Sequence, residues 1–179
     1  MTLDEVKDLL KVNNISFELC EFENEKEYWH HTMLFPYTKI AKPCKVIALL
    51  IRSKNGYKNI ELQFNELGDN FIFEELRFGD YCYEMFDCEE EILAQELINR
   101  ILEIRQGKLV IIVVNDLKNK RRIGDACFDR GDEDKFFGES GFQKAMQRIE
   151  KPKSFLSKLF GAKEQYEIFD WNIYQCIVK

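Results

Sequence analysis

The stretch KVIALLIRSKNGYKNIELQF (residues 45–64) decides how this chain folds. KVIALLIR is a continuous apolar run and reads as a central strand. The Asn55-Gly56 dipeptide after it is a two-residue hairpin signal, because a type I′ turn needs positive φ at both central residues. NIELQF answers as the partner strand, with Ile60, Leu62 and Phe64 expected inward and Glu61 and Gln63 outward. After the turn LGDN a third strand, FIFEELRF (71–78), extends an antiparallel meander. A sheet is therefore expected to organise the fold.

Toward the N-terminus, Thr2 and Glu5 have the spacing of a capping box, and Leu3, Val6, Leu9 and Leu10 share one helical face. A short helix is expected, ended by Asn13 and Asn14. ISFEL then alternates Ile15, Phe17 and Leu19 against polar neighbours, as a half-buried strand does. Residues 23–44, with Pro36 and Pro43, read as irregular.

Toward the C-terminus, Asp87 and Glu90 form a second capping-box pattern and Gly107 stands where a helix should stop, which predicts a helix over about residues 88–106. Leu93, Leu97, Ile101 and Ile104, widened by Ile98 and Leu102, make a stripe broad enough to cover a sheet face. KLVIIVVN (108–115) is a second apolar strand, NDLKNKRR a basic turn and RIGDACFD a weaker strand. A short helix over about 139–149 places Phe142, Ala145, Met146 and Ile149 on one side before Pro152, and QYEIFDWNIYQCIVK reads as a final strand. The expectation is one α+β domain over residues 1–179: a mainly antiparallel sheet with a long helix packed on one face, a short N-terminal helix and a second short helix.

At 179 residues such a chain can bury about 70% of its unfolded surface. MTLDEVKDLL carries acids where a secretory leader needs a basic start, and no apolar run approaches a membrane span, so a cytoplasmic protein without stable membrane association is expected. The six cysteines form no C-x-x-C pair and read as small buried hydrophobes. A net charge of -6 disfavours nucleic-acid binding, which needs a surplus of Lys and Arg. The charge is patchy: 71–91 hold eight acids and one arginine, whereas NDLKNKRR and KPKSFLSKLFGAK are basic.

Catalytic parts are few. EYWHH (27–31) holds both histidines, but adjacent side chains diverge by about 100° in a helix and alternate in a strand, so His30 and His31 are poorly placed to share a metal. One of them could still serve as a general base with a distant carboxylate. Phosphate-binding glycine loops and a nucleophile elbow are absent, and Asp125, Asp129, Asp132, Glu133 and Asp134 lack the ligand spacing of an EF-hand. These acids read as solvated loop residues or a partner-facing patch. KSFLSKLFGAK is a short basic amphipathic segment, read as packing onto its own domain rather than onto a membrane or a partner groove. No catalytic set, metal or cofactor is expected.

The capped helix TLDEVKDLLK, the strand ISFELCEF running into ENEKEYW, and an antiparallel sheet crossed by EEEILAQELINRILEIRQG resemble the immunity proteins of bacterial polymorphic toxin and contact-dependent growth inhibition systems in size, charge and architecture. The resemblance implies a stoichiometric inhibitor whose partner is a cognate toxin domain. Its acidic surface would complement a basic cleft. The expected binding patches are Glu74, Glu75, Glu84 and Asp87 with Tyr81 and Tyr83, or Asp129, Asp132, Glu133 and Asp134 with Phe136 and Phe137 as aromatic anchors. The alternative is a small hydrolase or nucleotide-processing enzyme using His30 or His31 with nearby carboxylates.

Overall fold

The computed structural model describes residues 1–32, 44–79, 81–84, 90–118, 121–130, 141–150 and 164–179. The fold is α+β and its sheets are antiparallel, but there are two of them. The chain divides into two compact units, residues 1–102 and 103–179.

The first unit opens with α1 (Leu3–Val12), held by the expected capping box: the Thr2 amide donates to Glu5 Oε2 at 2.7 Å and the Glu5 amide to Thr2 Oγ1 at 3.4 Å. Asn14, at φ 55°, ends the helix in the left-handed region. Leu3, Val6 and Leu10 are its buried face, and the helix packs against β4 (Asn70–Phe78). Between them lie β1 (Glu18–Phe22), α2 (Glu25–Thr32), β2 (Val46–Ile51) and β3 (Ile60–Leu67); β5 (Tyr81–Glu84) follows β4. The strands lie side by side in sequence order, from β1 to β5.

All six residues of β2 are buried, as a central strand requires. Its connection to β3 is not the expected two-residue turn. Residues 52–59 form a longer loop in which Asn55 Oδ1 accepts from Ser53 Oγ (2.6 Å), Tyr57 N (2.7 Å) and Lys58 N (3.1 Å), so the Asn-Gly signal acts through side-chain capping of the loop. The tight turn comes one hairpin later, where Leu67 pairs directly with Asn70 and Gly68 takes φ 62°.

Two expectations for this unit fail. Part of the supposedly irregular segment is the helix α2. The strand after α1 begins later than ISFEL and in the opposite phase: Leu19 is 41% exposed, while Phe22 is buried and Cys20 packs beside it. A one-residue change of phase moves every side chain to the other face.

α3 (Glu90–Arg105) is the long helix, and Leu93, Leu97, Ile98, Ile101 and Ile104 are its buried residues; Leu102, expected in the stripe, is exposed. Asp87 of the expected cap lies outside the described residues. The stop at Gly107 is as expected. At φ 72° its amide donates to Ile104 O (2.9 Å) and that of Lys108 to Glu103 O (3.1 Å), the paired bonds of a Schellman ending.

The second unit contains β6 (Leu109–Asp116), β7 (Arg121–Asp129), α4 (Gly141–Glu150), β8 (Glu164–Phe169) and β9 (Tyr174–Val178), in the order β7-β6-β8-β9. Ala145, Met146 and Ile149 of α4 pack on Val110, Ile112 and Ile168, at about 1.5–3 kcal/mol for each fully buried aliphatic side chain. The expected single final strand is instead a hairpin. Asp170 Oδ1 accepts from the amides of Asn172 (2.7 Å) and Ile173 (2.9 Å), and Asp170 pairs with Arg130. The alternation through Phe169, Trp171 and Ile173 hid this turn, because an Asx turn needs only one well-placed carboxylate. Residues 151–163, the basic amphipathic segment, lie outside the described residues. Among the described residues, no helix is long and apolar enough to cross a membrane.

Candidate functional site

In the first sheet the pleat gives one face two halves. On β1 and β2 that face carries Cys20, Phe22, Val46, Ala48 and Leu50, and on β3 to β5 the register continues it through Glu61, Gln63, Asn65, Glu75, Arg77 and Cys82. α2 bridges the two halves through Tyr28, which is fully buried. Its ring meets Phe22 edge-on, with centroids 5.4 Å apart, and packs with Val46, Ala48 and Leu50, while its hydroxyl donates to Glu61 Oε2 at 3.2 Å. The side of β3 expected to face water is enclosed: Gln63 is 3% exposed and Glu61 half-buried.

The enclosed polar groups are mostly paired with one another. Glu75 and Arg77, two apart on β4 and therefore on one face, form a buried ion pair, and the Cys82 thiol on β5 donates to Glu75 Oε2 at 2.7 Å. Register sets Arg77 between Glu61 of β3 and Cys82 of β5, and Glu75 between Gln63 and Glu84. Gln63 Nε2 donates to Asn65 Oδ1 at 3.0 Å, which leaves Gln63 Oε1 and Asn65 Nδ2 with no hydrogen bond among the described residues. Such orphan atoms cost about 1–3 kcal/mol each when water does not reach them.

Electrostatically the cluster is set by burial. Desolvation raises the Glu61 pKa above 4.5, against the lowering effects of the Tyr28 hydrogen bond and the Arg77 charge. Desolvation, with the Glu61 charge beside it, also pushes Tyr28 well above the usual phenol range. Burial opposes the Arg77 charge too, but the hydrogen bond and charge of Glu75 outweigh it and keep the guanidinium firmly protonated. With Glu75 neutralised by Arg77 and Glu61 bonded to Tyr28, the cluster links α2 to β3 and β4 to β5.

The expected binding residues are distributed around this cluster. Glu74 is half-buried at the irregularity where Gln63 pairs with Glu75 and Phe64 with Phe73. Glu75 was expected at the surface but is 8% exposed and committed to Arg77, because its register places it on the enclosed face of the sheet. Tyr81, Tyr83 and Glu84 lie on β5, an edge strand of the described sheet, paired with Phe78, Leu76 and Glu75 of β4. Asp129 ends β7, half-buried opposite Leu109. Asp87, Asp132, Glu133, Asp134, Phe136 and Phe137 lie outside the described residues. His30 and His31 fall in α2, with their side chains outside the described residues.

Sequence reading missed Tyr28, Glu61, Gln63, Asn65, Arg77 and Cys82 as a set. The available signal was Glu61, Gln63 and Asn65 at a spacing of two, facing Glu75 and Arg77 at the same spacing.

Charge separates more sharply than the local patches suggest. Residues 1–102 hold 20 of the 32 Asp and Glu and 11 of the 26 Lys and Arg, a formal charge of -9; residues 103–179 hold the other 12 and 15, or +3. The second unit also has an apolar depression of about 400 Å³ between α4 and β7, lined by Ile112, Val114, Phe128, Ala145, Ile149 and Tyr166 with Asp125 at its margin. Compared with protein families, with curated proteins and with solved structures, the chain matches none.

Proposed function

We propose that the chain is a binding protein of the immunity type, which neutralises a cognate toxin domain by presenting acidic surface to a basic cleft. The observation that carries this reading is the segregation of charge: a compact unit at -9 produces a field that speeds encounter with a cationic partner and rejects an anionic one. It also favours one of the two expected patches. Asp129, Asp132, Glu133 and Asp134 belong to a unit of positive formal charge, whereas Glu74, Tyr81, Tyr83, Glu84 and Asp87 belong to the acidic one. The contact then centres on β5 and the half-buried Glu74 of β4, with Glu75 supporting the strands from inside.

The test is capture of partners by the tagged full chain from its native host, followed by charge reversal. The expected result is one basic protein, retained in equimolar amount and released by salt, whose toxicity to growing cells the chain suppresses on co-expression. Glu74→Lys with Glu84→Lys should weaken retention at least tenfold, and Asp129→Lys should not. Retention and protection unaffected by reversals in both patches would overturn the reading.

A further inference from the structure

We propose that Asn55 is a self-modifying site, whose side-chain amide is closed into a succinimide by the backbone nitrogen of Gly56 and then opened by water to aspartate or isoaspartate. Asn55 Oδ1 accepts from the Ser53 hydroxyl (2.6 Å) and from the backbone amides of Tyr57 (2.7 Å) and Lys58 (3.1 Å). Backbone N–H groups only donate, so the atom facing them is the oxygen, and the amide nitrogen is the group free to depart. Attack at Asn55 Cγ moves negative charge onto that oxygen. Three donors already aimed at it hold the oxyanion more strongly than the ground-state carbonyl, which is how an oxyanion hole lowers a barrier.

The nucleophile is open to solvent. Gly56 is exposed, and a Cβ built on it would meet nothing within 4 Å. Among the described residues its amide makes no hydrogen bond, so its proton leaves to water without breaking one. At φ 67° the position requires glycine, and the turn therefore supplies a nitrogen with no side chain to crowd the attack. Residues 55–56 are the only Asn-Gly dipeptide in the sequence.

The reaction needs no reagent but water. The Gly56 nitrogen gives up its proton and bonds to Asn55 Cγ; the bond from Cγ to Nδ2 breaks, and Nδ2 leaves as ammonia with that proton restored to it. One water then opens the ring at either carbonyl. Opening at Cγ gives aspartate, whose carboxylate keeps the three donors as charge-assisted bonds. Opening at the main-chain carbonyl gives isoaspartate, which adds a methylene to the backbone between β2 and β3 and moves the accepting oxygen into the main chain. Either product adds one negative charge to the acidic unit.

The measurement is peptide mass spectrometry of the full chain during incubation at mildly alkaline pH, with folded and urea-unfolded samples side by side. The exchange of ammonia for water should appear at Asn55 before any other asparagine, and faster in the folded chain than in the unfolded one. Ser53→Ala removes one donor and should slow conversion in the folded chain about fivefold, the worth of one hydrogen bond in contact with water, while leaving the rate in urea unchanged. The comparison of folded with unfolded wild type stands whether or not that variant folds. An Asn55 that stays unconverted in the folded chain, a folded rate no higher than the rate in urea, or a Ser53→Ala rate equal to or above wild type would overturn the proposal.

Discussion

Replacing Arg77 by methionine tests the enclosed polar face most directly. The side chains of Arg77 and Glu75 are each 10% exposed, so the substitution leaves a carboxylate inside the sheet that has lost its counter-charge and keeps the hydrogen bond from the Cys82 thiol. Breaking a buried ion pair from one side costs about 3–5 kcal/mol, a large share of the roughly 5–15 kcal/mol that holds a domain together. Removing both charges, as in Glu75→Leu with Arg77→Met, eliminates the stranded charge and should return stability to within about 1 kcal/mol of wild type. Urea unfolding followed by circular dichroism reads both values, and Trp29 fluorescence in a Trp171→Phe background confines the reading to the first unit. A single variant losing less than about 1 kcal/mol would mean that water screens the pair as it does at a surface. A double variant as unstable as the single one would mean that strand packing, not the stranded charge, sets the cost.

Glu61→Gln should gain stability relative to wild type as pH rises. Burial raises the folded-state pKa of Glu61, so the folded chain holds the proton above 4.5 where the unfolded chain releases it, and wild-type stability declines as pH climbs from there through the folded value. Glutamine keeps an acceptor for Tyr28 and has no such decline, so parallel urea midpoints for the two proteins across pH would contradict the assignment. Gly107→Ala should cost about 1–2 kcal/mol, the left-handed backbone penalty. The added methyl would lie 2.9 Å from Asn172 Nδ2, the end of an exposed side chain that can swing away, so a much larger loss in the thermal melt would show that the contact is rigid.

The parts legible in the sequence were those governed by short-range chemistry. Thr2 with Glu5, Gly107, and the apolar runs within 45–52 and 108–115 each state their structure within a few residues, because caps, positive φ and two-sided burial leave local signatures. What escaped depended on partners distant in sequence. Glu61 and Gln63 look solvent-facing by alternation, yet Gln63 is buried and Glu61 is held by Tyr28, brought over from α2. The phase of β1 went wrong because Ile15, buried in the loop before the strand, was counted as part of its alternation. Asn55 and Asp170 show the complementary limit: each sets a turn through side-chain oxygens, but residue type alone does not say whether Asn-Gly closes two residues or a longer loop. Of the candidate surface, the position of β5 at the margin of an acidic unit rests on charge counting and strand order, whereas the inward fate of Glu75 depended on its pairing with Arg77 and Cys82.

Strand order also separates the two units in how they come to be folded. In the first sheet every ladder joins neighbours along the chain, so each hairpin can close as soon as its second strand is made. In the second, β6 must wait for β8 across residues 117–163, a closure that costs about 1.5 kcal/mol more in chain entropy than the one across residues 52–59. During synthesis the acidic unit can therefore complete its sheet while β8 and β9 are still unmade.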